Sequence, residues 1–185
     1  YAARAAFGVA VSRLRKLLGC AEALVVGEGR CALAHEWVGT DTAAFEHAVR
    51  EARAPRGTTA SDGETLRVAE RLLALYRTDF LAGESEAPWA IEARVRYRGM
   101  FVQAVEHVLT AGLLARDLSA VIALGERAIE IEPLAEHVYQ LLINAYLHSG
   151  RAADAKRVFR RCEQMLSVML GMPPSAELRA LVAKA

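Results

Sequence analysis

The run Gly27-Glu28-Gly29-Arg30-Cys31-Ala32 has the G-x-G-x-x-A spacing of turns that bring backbone N–H groups against a pyrophosphate, and it follows the β-capable run Ala23-Leu24-Val25-Val26. That chemistry requires a long helix opening at the glycines and a second strand ending in an acid about twenty residues on. The sequence supplies neither; the next segment, Cys31-Ala32-Leu33-Ala34, is again β-capable, so the pair predicts a hairpin with glycine providing positive φ at its turn. His35-Glu36 opens like a zinc-protease helix, but Gly39 stands where the second histidine belongs. Cys20, Cys31 and Cys162 share no C-x-x-C spacing, and their odd number argues against a disulfide framework. Cys162 falls on a small-residue position of a helical pattern, where a thiol is expected to be inert. No Walker loop and no nucleophile with a local base motif occurs, so no enzyme, metal or cofactor is expected.

Basic residues are the other candidates. Residues 1–19 carry Arg4, Arg13, Arg15 and Lys16 with no acid, whereas the remaining 166 residues hold 19 basic and 22 acidic groups. The N-terminal segment is therefore the electrostatically distinct part of a chain whose formal charge is only +1. Two further basic groups are Arg94, Arg96 and Arg98, and Lys156, Arg157, Arg160 and Arg161; the second could meet DNA or an acidic partner surface, but with Asp154 and Glu163 nearby a solvated helix face is expected.

These residues need elements to hold them. Apolar residues form 54% of the 185, aromatics only 6%, and Ala, Leu and Val dominate, a balance that favours helices. Ala3, Phe7, Ala10, Val11, Leu14 and Leu18 recur at helical spacing and predict an amphipathic helix over 2–18, ended by Gly19. After the hairpin, Asp41 is expected to cap a helix burying Phe45, Ala48, Val49 and Ala52. Ala54 to Gly63 reads as a linker ending in the capping-box spacing Ser61-x-x-Glu64, followed by a helix to about Leu81. Pro88 suits the first turn of a helix reaching about Ala115, with Trp89, Ile91, Val95, Val102, Val105 and Leu109 expected in the core. Helices at about 118–131, 136–149, 152–170 and 175–184 complete a mainly α chain.

A 34-residue self-similarity organises the later helices: Tyr139, Leu142, Tyr146, Gly150, Ala155, Phe159 and Cys162 follow the tetratricopeptide spacing, and Val105, Val108, Gly112, Arg116, Val121, Gly125 and Ala128 occupy the same register one repeat earlier. One such helix pair cannot cover its own apolar face, so neighbours must stack; a generic antiparallel bundle is the alternative. Stacking creates a concave groove, and His137, Gln140, Asn144 and His148 form a polar stripe on the helix expected to line it. A partner peptide or small ligand could lie there, or the stripe could be a solvated face.

Two family resemblances rest on these residues. Val11-Ser12-Arg13-Leu14-Arg15-Lys16-Leu17-Leu18-Gly19, followed by Leu24-Val25-Val26-Gly27-Glu28-Gly29-Arg30-Cys31-Ala32-Leu33, resembles the recognition helix and wing of the OmpR-type winged-helix effector domain. Cys31 stands where that family usually has an aromatic residue. Asp41-Thr42-Ala43-Ala44-Phe45, Leu72 to Tyr76, Trp89, Arg94, Glu132-Pro133-Leu134-Ala135-Glu136 and Leu170 to Leu178 resemble the bacterial transcriptional activator domain, the tetratricopeptide-like module that follows the winged helix in Streptomyces antibiotic regulatory proteins and related regulators.

The resemblance implies a bacterial transcription activator fragment. Residues 1–40 would be part of a winged helix that binds double-stranded promoter DNA through Arg4, Ser12, Arg13, Arg15, Lys16 and Arg30. Residues 41–185 would be an activation domain contacting RNA polymerase, a sigma factor or a second copy of the chain. The two helices that precede a recognition helix are missing from the segment, so Phe7, Val11 and Leu14 must pack elsewhere or stay exposed. The alternative is a helical-repeat adaptor that binds protein partners and no DNA. With no window of 18 apolar residues and no signal peptide, a cytoplasmic protein without a membrane span is expected; opening on Tyr1 suggests part of a longer chain.

Overall fold

In a computed structural model of the chain, residues 2–27, 29–54, 62–83 and 88–183 are described. The element order is α1 (Ala2–Leu18), β1 (Leu24–Gly27), β2 (Arg30–Leu33), α2 (Asp41–Arg53), α3 (Asp62–Leu75), α4 (Pro88–Ala115), α5 (Leu118–Ile131), α6 (Glu136–His148), α7 (Ala152–Leu170) and α8 (Ala176–Ala183). The chain divides into two compact units, residues 1–44 and 45–185. It is mainly α, as expected. The capping-box residue Ser61 and most of the expected linker lie outside the described residues.

In the first unit, β1 and β2 form an antiparallel hairpin with Leu24 opposite Leu33 and Gly27 opposite Arg30. Gly29 takes φ +75°, a conformation that a Cβ would strain. Because β2 follows within two residues, the glycine pair cannot open a dinucleotide-binding helix. Thr40, rather than Asp41, caps α2: its Oγ1 accepts from the Ala43 N–H at 3.1 Å and its carbonyl from the Ala44 N–H at 3.0 Å. Asp41 supplies negative charge to the first turn instead.

In the second unit, the 34-residue register becomes geometry. Val105, Val108, Gly112, Val121, Gly125 and Ala128 are buried, as are Tyr139, Leu142, Tyr146, Ala155 and Cys162 one repeat later; Phe159 is half-buried. The turns between paired helices also superpose in register. Asp117 N–H donates to Gly112 carbonyl at 2.9 Å, and Arg151 N–H to Tyr146 carbonyl at 2.8 Å; Arg116 and Gly150 both take left-handed φ, at +60° and +73°. Gly125 marks a close approach, since a Cβ there would lie 3.0 Å from Leu142 Cδ1 and the Leu142 side chain would have to give way. Helix α6 lies among α4, α5, α7 and α8, which makes it the centre of this core.

The N-terminal part of the unit differs from expectation in two places. Helix α3 ends at Leu75, not near Leu81. Leu81 has φ +51°, and the carbonyls of Phe80 and Leu81 accept from the Arg94 guanidinium at 2.9 Å each instead of continuing a helical ladder. On α4, Trp89, Ile91 and Val95 are exposed, and Val102 is half-buried. The face that packs carries Ala90, Tyr97, Phe101, Ala104, Val105, Val108 and Leu109. An aromatic cluster selects it: Tyr76 stacks on Phe101 at 4.3 Å between centroids, and Phe45 meets Tyr76 at 5.5 Å and Tyr97 at 6.0 Å.

Candidate nucleic-acid interface

Helix α1 and the hairpin share a very small core: Val11 is 7% exposed, Ala23 1% and Leu24 6%. Phe7, Leu14 and Leu18, expected on the same apolar face as Val11, remain 37–46% exposed, because the hairpin covers only one side of the helix. A cleft of about 580 Å³ runs beside the helix, lined by Phe7, Val11, Ser12, Lys16, Cys20 and Val26 among others.

Arg4, Ser12, Arg13 and Lys16 are exposed on α1, and Arg30 is exposed at the start of β2. Arg15 is different. It is half-buried, its Nη2 donates to the Leu24 carbonyl at 2.9 Å, and its Nε is buried without a hydrogen-bond partner. The neighbouring Glu22 carboxyl is held below its ordinary range, first by its own backbone N–H, then by the Cys20 thiol at 3.4 Å, with the Arg15 charge contributing less.

The polar stripe in the second unit is partly engaged. His137 Nδ1 lies 3.2 Å from Glu106 Oε1 on α4, Gln140 and Asn144 are half-buried, and His148 is exposed. The two basic groups of this unit are largely tied to the protein itself. Arg96 lies 3.7 Å from Glu46 and over the Tyr97 ring, while Arg98 Nε meets Glu132 Oε2 at 2.6 Å. Arg157 meets Glu126 at 2.9 Å and Asp154 at 3.5 Å, and Arg161 donates to the Ile129 carbonyl at 3.4 Å; Lys156 and Arg160 stay exposed.

Sequence reasoning missed the buried polar centre of this unit. The Glu132 side chain is only 6% exposed and accepts from the Tyr76 hydroxyl at 3.0 Å as well as from Arg98. Burial, reinforced by Glu132 and Asp79, pushes the Tyr76 hydroxyl well above its usual value. The signal in the sequence is an acid, Glu132, placed before Pro133 where α5 ends. Burial, with Glu136 and Glu163, raises the Cys162 thiol to about 12, which suits a core position and opposes nucleophilic use. Among the described residues, no group of three or more His, Cys, Asp or Glu is placed to hold a metal, and no helix is long and apolar enough to cross a membrane.

A helix followed by a hairpin, together with stacked tetratricopeptide-like pairs, places the chain among helical-repeat proteins. The sequence profile described as the bacterial transcriptional activator domain matches residues 40–184, and the chain belongs to that family. Its fold is similar to that of Mycobacterium tuberculosis EmbR, solved in complex with a low-affinity phosphopeptide, with a TM-score of 0.66 and 26% identity. The match covers 98% of this chain and 49% of the EmbR chain, so the present sequence spans about half that protein's length. No curated protein matches the sequence.

Proposed function

We propose that the chain is part of a cytoplasmic bacterial transcription activator in which residues 1–40 bind promoter DNA and residues 41–185 mediate activation. The observation that carries the DNA reading is the exposure of Arg4, Ser12, Arg13 and Lys16 on a helix followed at once by a hairpin that exposes Arg30. Arginine forks pair with guanine edges, while lysine and serine suit phosphates, so α1 would enter the major groove and Arg30 would meet the adjacent backbone. Arg15 stands at the base of this surface.

The helical domain would recruit RNA polymerase or a sigma factor and support dimer contacts, with His137, Gln140, Asn144 and His148 as a partner-facing stripe. Membership of the activator-domain family supports that role. The competing reading, a protein adaptor without DNA binding, draws on the exposed Phe7, Leu14 and Leu18, which leave α1 braced on one side only.

Fluorescence anisotropy of a labelled mixed-sequence duplex at about 50 and 200 mM salt separates the two, because phosphate neutralisation releases counterions and gives a steep salt dependence. Affinity falling by orders of magnitude between the two salts is expected. No binding at either salt assigns the chain to the adaptor class.

A further inference from the structure

The Leu24 carbonyl occupies a particular place in the hairpin. Ala34 N–H donates to Ala23 carbonyl at 2.9 Å, and the register pairs Leu24 with Leu33, Val25 with Ala32 and Gly27 with Arg30. Antiparallel pairs alternate between those that exchange hydrogen bonds and those that do not. Starting from Ala23 and Ala34, the exchanging pairs are therefore Val25 with Ala32 and Gly27 with Arg30. Leu24 falls between them, so its carbonyl points away from β2 on the open edge of β1. Leu24 is itself 6% exposed, and a carbonyl sealed there without a partner would be costly.

Arg15 resolves that problem. Its Nη2 donates to Leu24 carbonyl at 2.9 Å, and among the described residues this is the side-chain hydrogen bond that ties α1 to the hairpin. Nε and Nη2 form one edge of the guanidinium fork. With Nη2 directed at Leu24 and Nε buried, that edge is withdrawn from bidentate use on a base. An isolated two-stranded hairpin is marginal in water, so one charge-assisted bond to a rigid helix weighs heavily on its position.

We infer that Arg15 is a positioning residue, which locks β1 to α1 so that Arg30 is held in fixed relation to Arg13 and Lys16, and that it does not itself read DNA. The inference rests on the proposed DNA interface but is separable from it. The residues that would meet DNA are then the exposed Arg4, Ser12, Arg13, Lys16 and Arg30.

The test uses the full chain with Arg15→Met, which keeps an apolar stem and removes the donors, Arg30→Ala, the double variant, and Arg13→Met as an exposed control. Amide hydrogen exchange at Val25, Ala32 and Ala34 should accelerate about tenfold or more in Arg15→Met, with α2 to α8 unchanged and Arg13→Met like the unaltered chain. Duplex affinity should fall several-fold in Arg15→Met, and the double variant should bind no more weakly than Arg30→Ala alone, because both act through the hairpin. Multiplicative losses, with the slope of log affinity against log salt falling by a further ~0.9, would make Arg15 a direct phosphate contact and overturn the inference. Unchanged hairpin exchange in Arg15→Met overturns it as well. Absence of salt-dependent binding by the unaltered chain would instead refute the DNA interface on which it rests.

Discussion

In residues 1–44, Arg4, Arg13 and Arg30 are exposed and the one arginine drawn inward, Arg15, binds a backbone carbonyl; in residues 45–185, Arg94, Arg96, Arg98, Arg157 and Arg161 are all engaged with carbonyls or carboxylates of their own unit. The difference lies in the supply of partners. The second unit places Glu46, Glu126, Glu132 and Asp154 within reach of its cations, whereas no acid falls within residues 1–19. A basic cluster whose charges the fold matches is the weaker candidate for a nucleic-acid surface, although Lys156 and Arg160 stay exposed within theirs.

Charge reversal gives the sharpest test of that contrast. Arg13→Glu with Lys16→Glu should lower duplex affinity at about 50 mM salt by roughly a hundredfold, while Lys156→Glu with Arg160→Glu should change it less than about twofold by anisotropy. Equal losses from both pairs would erase the distinction between the units.

Breaking one of the engaged pairs should act on stability instead. Glu132→Ala leaves the Tyr76 hydroxyl only its longer contact with Asp79, 3.3 Å, and removes the carboxylate partner of half-exposed Arg98, so urea denaturation should show a loss of roughly 1–2 kcal/mol, discounted because Arg98 can turn to solvent. DNA affinity should stay near that of the unaltered chain, since the substitution lies outside residues 1–44.

The smallest effect separates the two repeats. Arg116 bears the left-handed strain that Gly150 avoids at the equivalent turn. Arg116→Gly should stabilise the chain by about 1 kcal/mol and Gly150→Ala should destabilise it by about as much, both readable as shifts in thermal midpoint. A destabilising Arg116→Gly would mean that its side chain contributes more than its backbone conformation costs.

Much of the repeat architecture was legible because the 34-residue register depends on side-chain size at fixed positions, from Val105 and Gly112 to Tyr139 and Cys162. The hairpin was legible from its apolar runs and glycines. The working face of α4 was not: apolar residues surround its N-terminal half, so Ile91 and Val95 matched a helical period as well as Tyr97 and Phe101 did. The end of α3 was hidden for a related reason. The apolar pattern continues to Phe80, but the chain leaves the helix after Leu75, and Arg94, fourteen residues from Phe80, holds the Phe80 carbonyl in the segment that follows. Within the candidate interface, the sequence marked the basic residues as a group and could not separate Arg15 from Arg13.

The amino-acid sequence by itself determined the helical class, the hairpin, the repeat register and the segregation of unmatched positive charge at the N-terminal end, because periodicity, glycine conformation and charge counting are local properties. Only the tertiary structure decided which apolar face of α4 is buried, which carboxylate becomes the buried partner of Tyr76 and Arg98, and which arginine of α1 turns inward. Those outcomes depend on groups distant in the chain competing for the same space and the same hydrogen bonds, and no local pattern encodes the winner.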